Sequence, residues 1–129
     1  MGNGTSIGRV RGLGAAHEGT HHWLKQRFTA VSNLVTVLFL GISLALMGDY
    51  SYASIAGWLG SPLPAFMVAL LVVSTFWHAR LGLQVMLEDY IDEPGNRFAA
   101  ILVLNIASFA GAAFGLFSIA SLAFSTGAA

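Results

Sequence analysis

The run Phe76-Trp77-His78-Ala79-Arg80-Leu81-Gly82 sits inside an apolar stretch extending from Leu63 to Leu87. It carries an imidazole and a guanidinium where both are energetically costly, and ionisable groups held at membrane depth mark functional sites by default. An imidazole with a gap beside it suits haem ligation through a ring nitrogen. Gly82 stands one turn from His78 on the same face, where a missing side chain leaves room for a flat macrocycle against the backbone. The alternative for His78 is a structural histidine hydrogen-bonded to a neighbouring helix. Arg80 projects about 200° around the helix from His78. Its long stem can carry the charge toward Glu88 in an ion pair or toward the carboxylates of a bound haem, and both remain open.

Eleven residues beyond His78 come Asp89 and then Tyr90. On a continuous helix that spacing puts Asp89 within about 20° of the face of His78 and about 16 Å further along the axis. A phenol can donate to a carbonyl oxygen, and a neighbouring carboxylate can orient that donor or relay protons, which is what a quinone headgroup requires. Tyrosine and acidic residues also collect at membrane interfaces without any such task. Arg27 is either a charged anchor before the first span or a group reaching haem carboxylates and a quinone. The remaining histidines, His17, His21 and His22, precede the first span and do not reach the depth of His78, so a second axial ligand is expected from another subunit.

The elements that must position these residues are membrane helices. Of 129 residues 56% are hydrophobic and 9% charged, too apolar for a water-soluble domain of this length. With no cysteine, any redox centre held by this chain uses nitrogen or oxygen ligands. A net charge of zero removes nucleic acid as a partner class. The expected fold is an all-α membrane protein with three transmembrane helices at about 28–47, 63–87 and 98–124, forming an anchor domain over 21–129 behind a Gly-rich arm at 1–20. The first residues lack the apolar core of a signal peptide, so the start is expected to be retained. Arg9, Arg11, Lys25, Arg27 and Arg97 all fall on one side of a three-span arrangement, which predicts a cytoplasmic (or matrix-side) N-terminus. Pro94-Gly95 is expected to break the chain between the last two spans, and Gly48 to Pro64 to be a turn-rich connection. Ala107, Gly111 and Gly115 recur every four residues, a spacing that suits either close docking of another membrane chain or packing within this one.

His78-Ala79-Arg80-Leu81-Gly82-Leu83-Gln84-Val85-Met86-Leu87-Glu88-Asp89-Tyr90, together with Trp23-Leu24-Lys25-Gln26-Arg27-Phe28-Thr29-Ala30, resembles the small hydrophobic membrane anchor of succinate dehydrogenase, respiratory complex II, in its alphaproteobacterial and mitochondrial branch. The similarity covers residues 20 to 124. The resemblance implies that His78 is an axial ligand to the iron of a haem b shared with a second anchor subunit. It implies that Asp89 and Tyr90 belong to a ubiquinone site, and that Arg27 lies near the haem propionates and the quinone. The implied partners are the second haem-binding anchor subunit, an iron-sulfur subunit and a flavoprotein subunit carrying FAD, all at a bacterial inner membrane or its mitochondrial equivalent. The anchor of a quinol:fumarate reductase and a non-redox membrane scaffold are the competing expectations. The first 20 residues and the pair His21-His22 have no counterpart in the family's pattern.

Overall fold

The computed structural model describes residues 19–126, which form four helices and no strand. The Gly-rich arm expected over 1–20, with Arg9, Arg11 and His17, lies outside the described residues except for its last two positions, and those already belong to a helix. The helices are α1 (Gly19–Ala45), α2 (Tyr52–Gly60), α3 (Pro62–Tyr90) and α4 (Pro94–Thr126). Of these α1, α3 and α4 are long and apolar enough to cross a membrane, in the number and order expected. At about 1.5 Å per residue each is some 40–50 Å long, so each projects beyond a hydrocarbon core of about 30 Å. α1 accordingly starts well before Phe28, because nothing in the polar segment from His21 to Arg27 breaks a helix.

Two connections differ from expectation. The segment expected to be a turn-rich loop contains α2. Its start is capped by Ser51, whose hydroxyl accepts from the Ser54 amide at 3.3 Å, and by Asp49, whose carboxylate accepts from the Ser51 amide at 3.0 Å, the Ser51 hydroxyl at 2.6 Å and the Ser54 hydroxyl. These bonds hold the Asp49 carboxyl below its usual range, the Ser51 hydroxyl first, the Ser54 hydroxyl next and the Ser51 amide last. Ser61 ends α2 in an extended conformation, and Pro62 opens α3, where a missing N–H costs nothing. Likewise Pro94 does not lie between helices but begins α4. The Glu93 carboxylate accepts from the amides of Gly95 at 3.2 Å and Asn96 at 2.6 Å, satisfying two otherwise unpaired donors with a charge that suits the helix dipole.

α3 is the central helix, packing on α1 at one side and α4 at the other, while α2 rests against α4 and α3. Trp58 ties α2 to α1 through an indole N–H donated to the Ser43 hydroxyl at 2.8 Å. Gly111 and Gly115 face α3 directly. A Cβ on Gly115 would lie 2.8 Å from Val72 Cγ1, and one on Gly111 would run into the Phe76 ring. Of the two uses open to the small-residue stripe, these glycines serve packing within the chain. Little else is enclosed: among the described residues Leu81 is the one buried hydrophobic side chain, at 4% exposure, while Phe28, Phe109 and Phe124 stand largely free. Such a surface is stable only against lipid or other apolar helices.

Candidate functional site

His78 lies on the face of α3 that meets α1, and both ring nitrogens are engaged across that seam. Nδ1 is 3.1 Å from the Thr29 hydroxyl oxygen, and Nε2 is 3.3 Å from the Gln26 side-chain nitrogen. Four and three residues before His78, the hydroxyls of Ser74 and Thr75 both donate to Asn33 Oδ1, the second at 3.3 Å. Thr36 is wholly enclosed, and its hydroxyl folds back onto the carbonyls of Ser32 and Asn33 at 2.8 and 3.1 Å. The seam is therefore polar on the α1 side: His22, Gln26, Thr29, Asn33 and Thr36 recur at intervals of four and three residues, one stripe of a helix otherwise dressed for lipid. Inside a membrane, hydrogen bonds of this kind hold helices together where apolar contacts distinguish poorly between protein and lipid.

Gly82 forms part of the wall of a groove of about 830 Å³ between α1 and α3, bordered also by His22, Lys25, Gln26, Arg80 and Gln84. Its nearest side-chain neighbour is the Gln26 amide, 3.4 Å from where a Gly82 Cβ would be. The amide thus sits between His78 and Gly82. His22 Nε2 and Gln26 Oε1 are buried on this wall without a hydrogen-bond partner among the described residues.

Arg80 turns away from this face. Its Nε donates to Asn105 Oδ1 on α4, and Glu88 instead receives the Gln84 amide at 2.8 Å, so of the two contacts open to Arg80 the ion pair with Glu88 is not formed. The same guanidinium borders a second groove of about 610 Å³ between α3 and α4, otherwise lined by apolar and small side chains such as Phe76, Trp77, Phe109 and Ala112. Asp89 and Tyr90 end α3, both exposed, the tyrosine at 84%. α3 is unbroken between His78 and this pair, so the sequence spacing translates directly into about 16–18 Å along one axis. Arg27 is exposed beside the seam with its guanidinium 5.3 Å from the centre of the Trp23 ring, a cation–π contact within one helix. Among the described residues no hydrogen bond joins Arg27, Asp89 and Tyr90, and no cluster of three or more histidine and carboxylate groups forms that could hold a metal by itself.

The half-buried imidazole at mid-span and the unpartnered polar atoms beside it belong to a chain with recognisable relatives. Residues 1–114 match the family described as succinate dehydrogenase/fumarate reductase transmembrane subunit. The chain belongs to that family. It is 33% identical over 104 residues to the succinate dehydrogenase hydrophobic membrane anchor subunit of Rickettsia bellii, covering 80% of this chain and 81% of that one. Identity to the subunit of the same name from Paracoccus denitrificans is also 33%, over 114 residues, 88% of this chain and 87% of the relative. The succinate dehydrogenase membrane anchor subunit of Reclinomonas americana is 26% identical over 91 residues, covering 68% of this chain and 76% of that one. No solved structure matches significantly. The relatives are anchor subunits of an oxidoreductase complex, and the three apolar helices make this family member a multi-pass membrane protein.

Sequence reasoning singled out His78 but not the residues that hold it. Gln26 and Thr29 carried a signal, the four-and-three recurrence of polar groups along the first span, which hydropathy averages away.

Proposed function

We propose that this chain anchors a succinate:ubiquinone oxidoreductase at the bacterial cytoplasmic membrane, provides His78 as one axial ligand to a haem b shared with a second anchor subunit, and forms part of the ubiquinone site through Tyr90, Asp89 and Arg27. The observation that carries it is His78 itself: an imidazole at mid-span, held from Nδ1 by Thr29, with Nε2 against the Gln26 amide that lines the α1–α3 groove. The donor set fits half of a haem site, since Gly82 offers backbone where a Cβ would intrude, and Lys25 supplies positive charge at the groove for carboxylates. The second ligand belongs to the partner anchor. A bound haem b supplies reversible one-electron chemistry in a low-dielectric setting. The relatives' names favour succinate oxidation over a quinol:fumarate reductase direction.

The oxidation of succinate to fumarate, releasing two electrons and two protons, takes place in the soluble flavoprotein, and the electrons reach the membrane through the iron-sulfur subunit. Here the chain's own residues act on the acceptor. Tyr90, at the end of α3, donates its hydroxyl to a quinone carbonyl, and Asp89 beside it orients that donor and passes protons as quinone takes up two electrons and two protons to become quinol. Arg27 holds positive charge beside the same end of the bundle, stabilising the reduced oxygen. Lys25, Arg27 and Arg97 share one end of the three-span arrangement, and the 46–51 connection has no basic residue, which supports an N-terminus on the cytoplasmic side.

Tyr90→Phe tests the site, because an 84% exposed hydroxyl can be removed without disturbing packing. In the assembled complex quinone reduction should fall roughly 3- to 10-fold, the worth of one neutral hydrogen bond, while succinate oxidation by a soluble artificial acceptor persists. Equal loss in both assays would remove Tyr90 from the quinone site.

A further inference from the structure

The geometry points to Thr29 as the positioning residue for His78, fixing the imidazole tautomer that carries its proton on Nδ1 and its lone pair on Nε2. This inference rests on the reading of His78 as an iron ligand and adds the group that makes it one. The Thr29 hydroxyl has a single proton, and that proton is committed to its own helix, where the carbonyls of Lys25 and Gln26 lie 2.9 and 3.1 Å away. Toward His78 the oxygen can then only accept, so at 3.1 Å the hydrogen between them belongs to Nδ1. The placement of the Gln26 amide agrees. The Gln26 amide nitrogen donates and never accepts, so at 3.3 Å from Nε2 it requires a lone pair there. Both bonds select the neutral imidazole with the proton on Nδ1.

That tautomer is the one metal ligation needs. A ligating imidazole donates its other N–H to an acceptor, which sets the ring's orientation and raises the basicity of the coordinating nitrogen. Thr29 is only 7% exposed, so water does not compete for that role. Gln26 holds the lone pair from the groove side and shares it with nothing else, so an iron bound at Nε2 takes the place of the amide's hydrogen bond. A threonine that merely folded back onto its helix would have no consequence for His78. The proposal differs by predicting effects at the metal.

The test uses the assembled complex purified with its haem, in four forms: wild type, Thr29→Val, Thr29→Ser and His78→Leu. Haem loss to an apoglobin scavenger and the haem midpoint potential are measured in each. Thr29→Val keeps the side-chain shape and removes the acceptor, so haem loss should accelerate about 10- to 100-fold and the potential should rise, because a less basic imidazole favours ferric iron less. Thr29→Ser should restore both. Thr29→Ala gives the same prediction as valine should the valine form not assemble. Wild-type behaviour in Thr29→Val or Thr29→Ala, or a serine form as impaired as either, would overturn the role of the hydroxyl. An unchanged haem signal in His78→Leu would instead overturn the ligand assignment itself, a result the threonine variants alone do not produce.

Discussion

Replacing Gly115 by alanine should destabilise the α3–α4 contact, against the usual effect of that change in a helix. In an open helical position Gly→Ala is favourable by about 1 kcal/mol. Gly41 provides that reference, since nothing lies within 4 Å of where its Cβ would be. At Gly115 the new methyl would sit 2.8 Å from Val72 Cγ1, 0.6 Å short of the 3.4 Å at which ordinary contact begins. Valine on a helix has essentially one rotamer, so Val72 cannot swing aside and the helices must separate. Overpacking of this size costs about 1–3 kcal/mol, leaving a net loss of up to about 2 kcal/mol once the propensity gain is set against it. Thermal unfolding of the purified complex, followed by tryptophan fluorescence, should show Gly115→Ala melting below wild type and Gly41→Ala at or above it. Val72→Ala combined with Gly115→Ala should recover most of the loss. If Gly115→Ala left the melting temperature unchanged but released a partner subunit, the stripe would serve docking between chains.

Asn105→Leu should cost about 1–2 kcal/mol, because it strands the Arg80 guanidinium without its acceptor in the apolar half of α3. The double variant Arg80→Leu/Asn105→Leu should be less damaged than the single one, which thermal unfolding of the complex checks directly. At the start of α2, the depressed Asp49 pKa means that its contribution is fully present above the ordinary carboxylate pKa of about 3.9 and is lost as pH falls through the lower folded value. Amide protection factors at Ser51 and Ser54, relative to the intrinsic exchange rate at each pH, should therefore be unchanged from pH 8 to 5 in wild type, while Asp49→Asn lowers protection throughout that range.

The spans were legible because a hydrocarbon core demands long uncharged runs, and such runs are few in 129 residues. Their ends were not, since hydropathy reports where lipid stops and not where the helix does. α1 continues in water back to Gly19, and α4 begins at Pro94, a residue whose ring fits a first helical turn as well as it fits a break. α2 was hidden by glycines and aromatics that read as a loop, although the Ser51–Ser54 cap before an apolar stretch was visible. His78 stood out because a lone imidazole in a span is conspicuous. Its holders did not, because threonine and glutamine are unremarkable at the edge of a membrane helix until the fold lays them against an imidazole. Arg80 had two partners open to it in the sequence, and neither spacing nor hydropathy could show that its guanidinium faces α4, where a neutral amide meets it with no second buried charge to desolvate.

The most direct measurement is the reduced-minus-oxidised absorbance spectrum of the complex purified in mild detergent, with succinate as reductant, for wild type and His78→Leu. The account predicts a b-type signal, with flavin and iron-sulfur partners copurifying, that is lost or altered in the leucine form. A colourless preparation without large soluble partners, or a signal indifferent to His78→Leu in an intact complex, would contradict it.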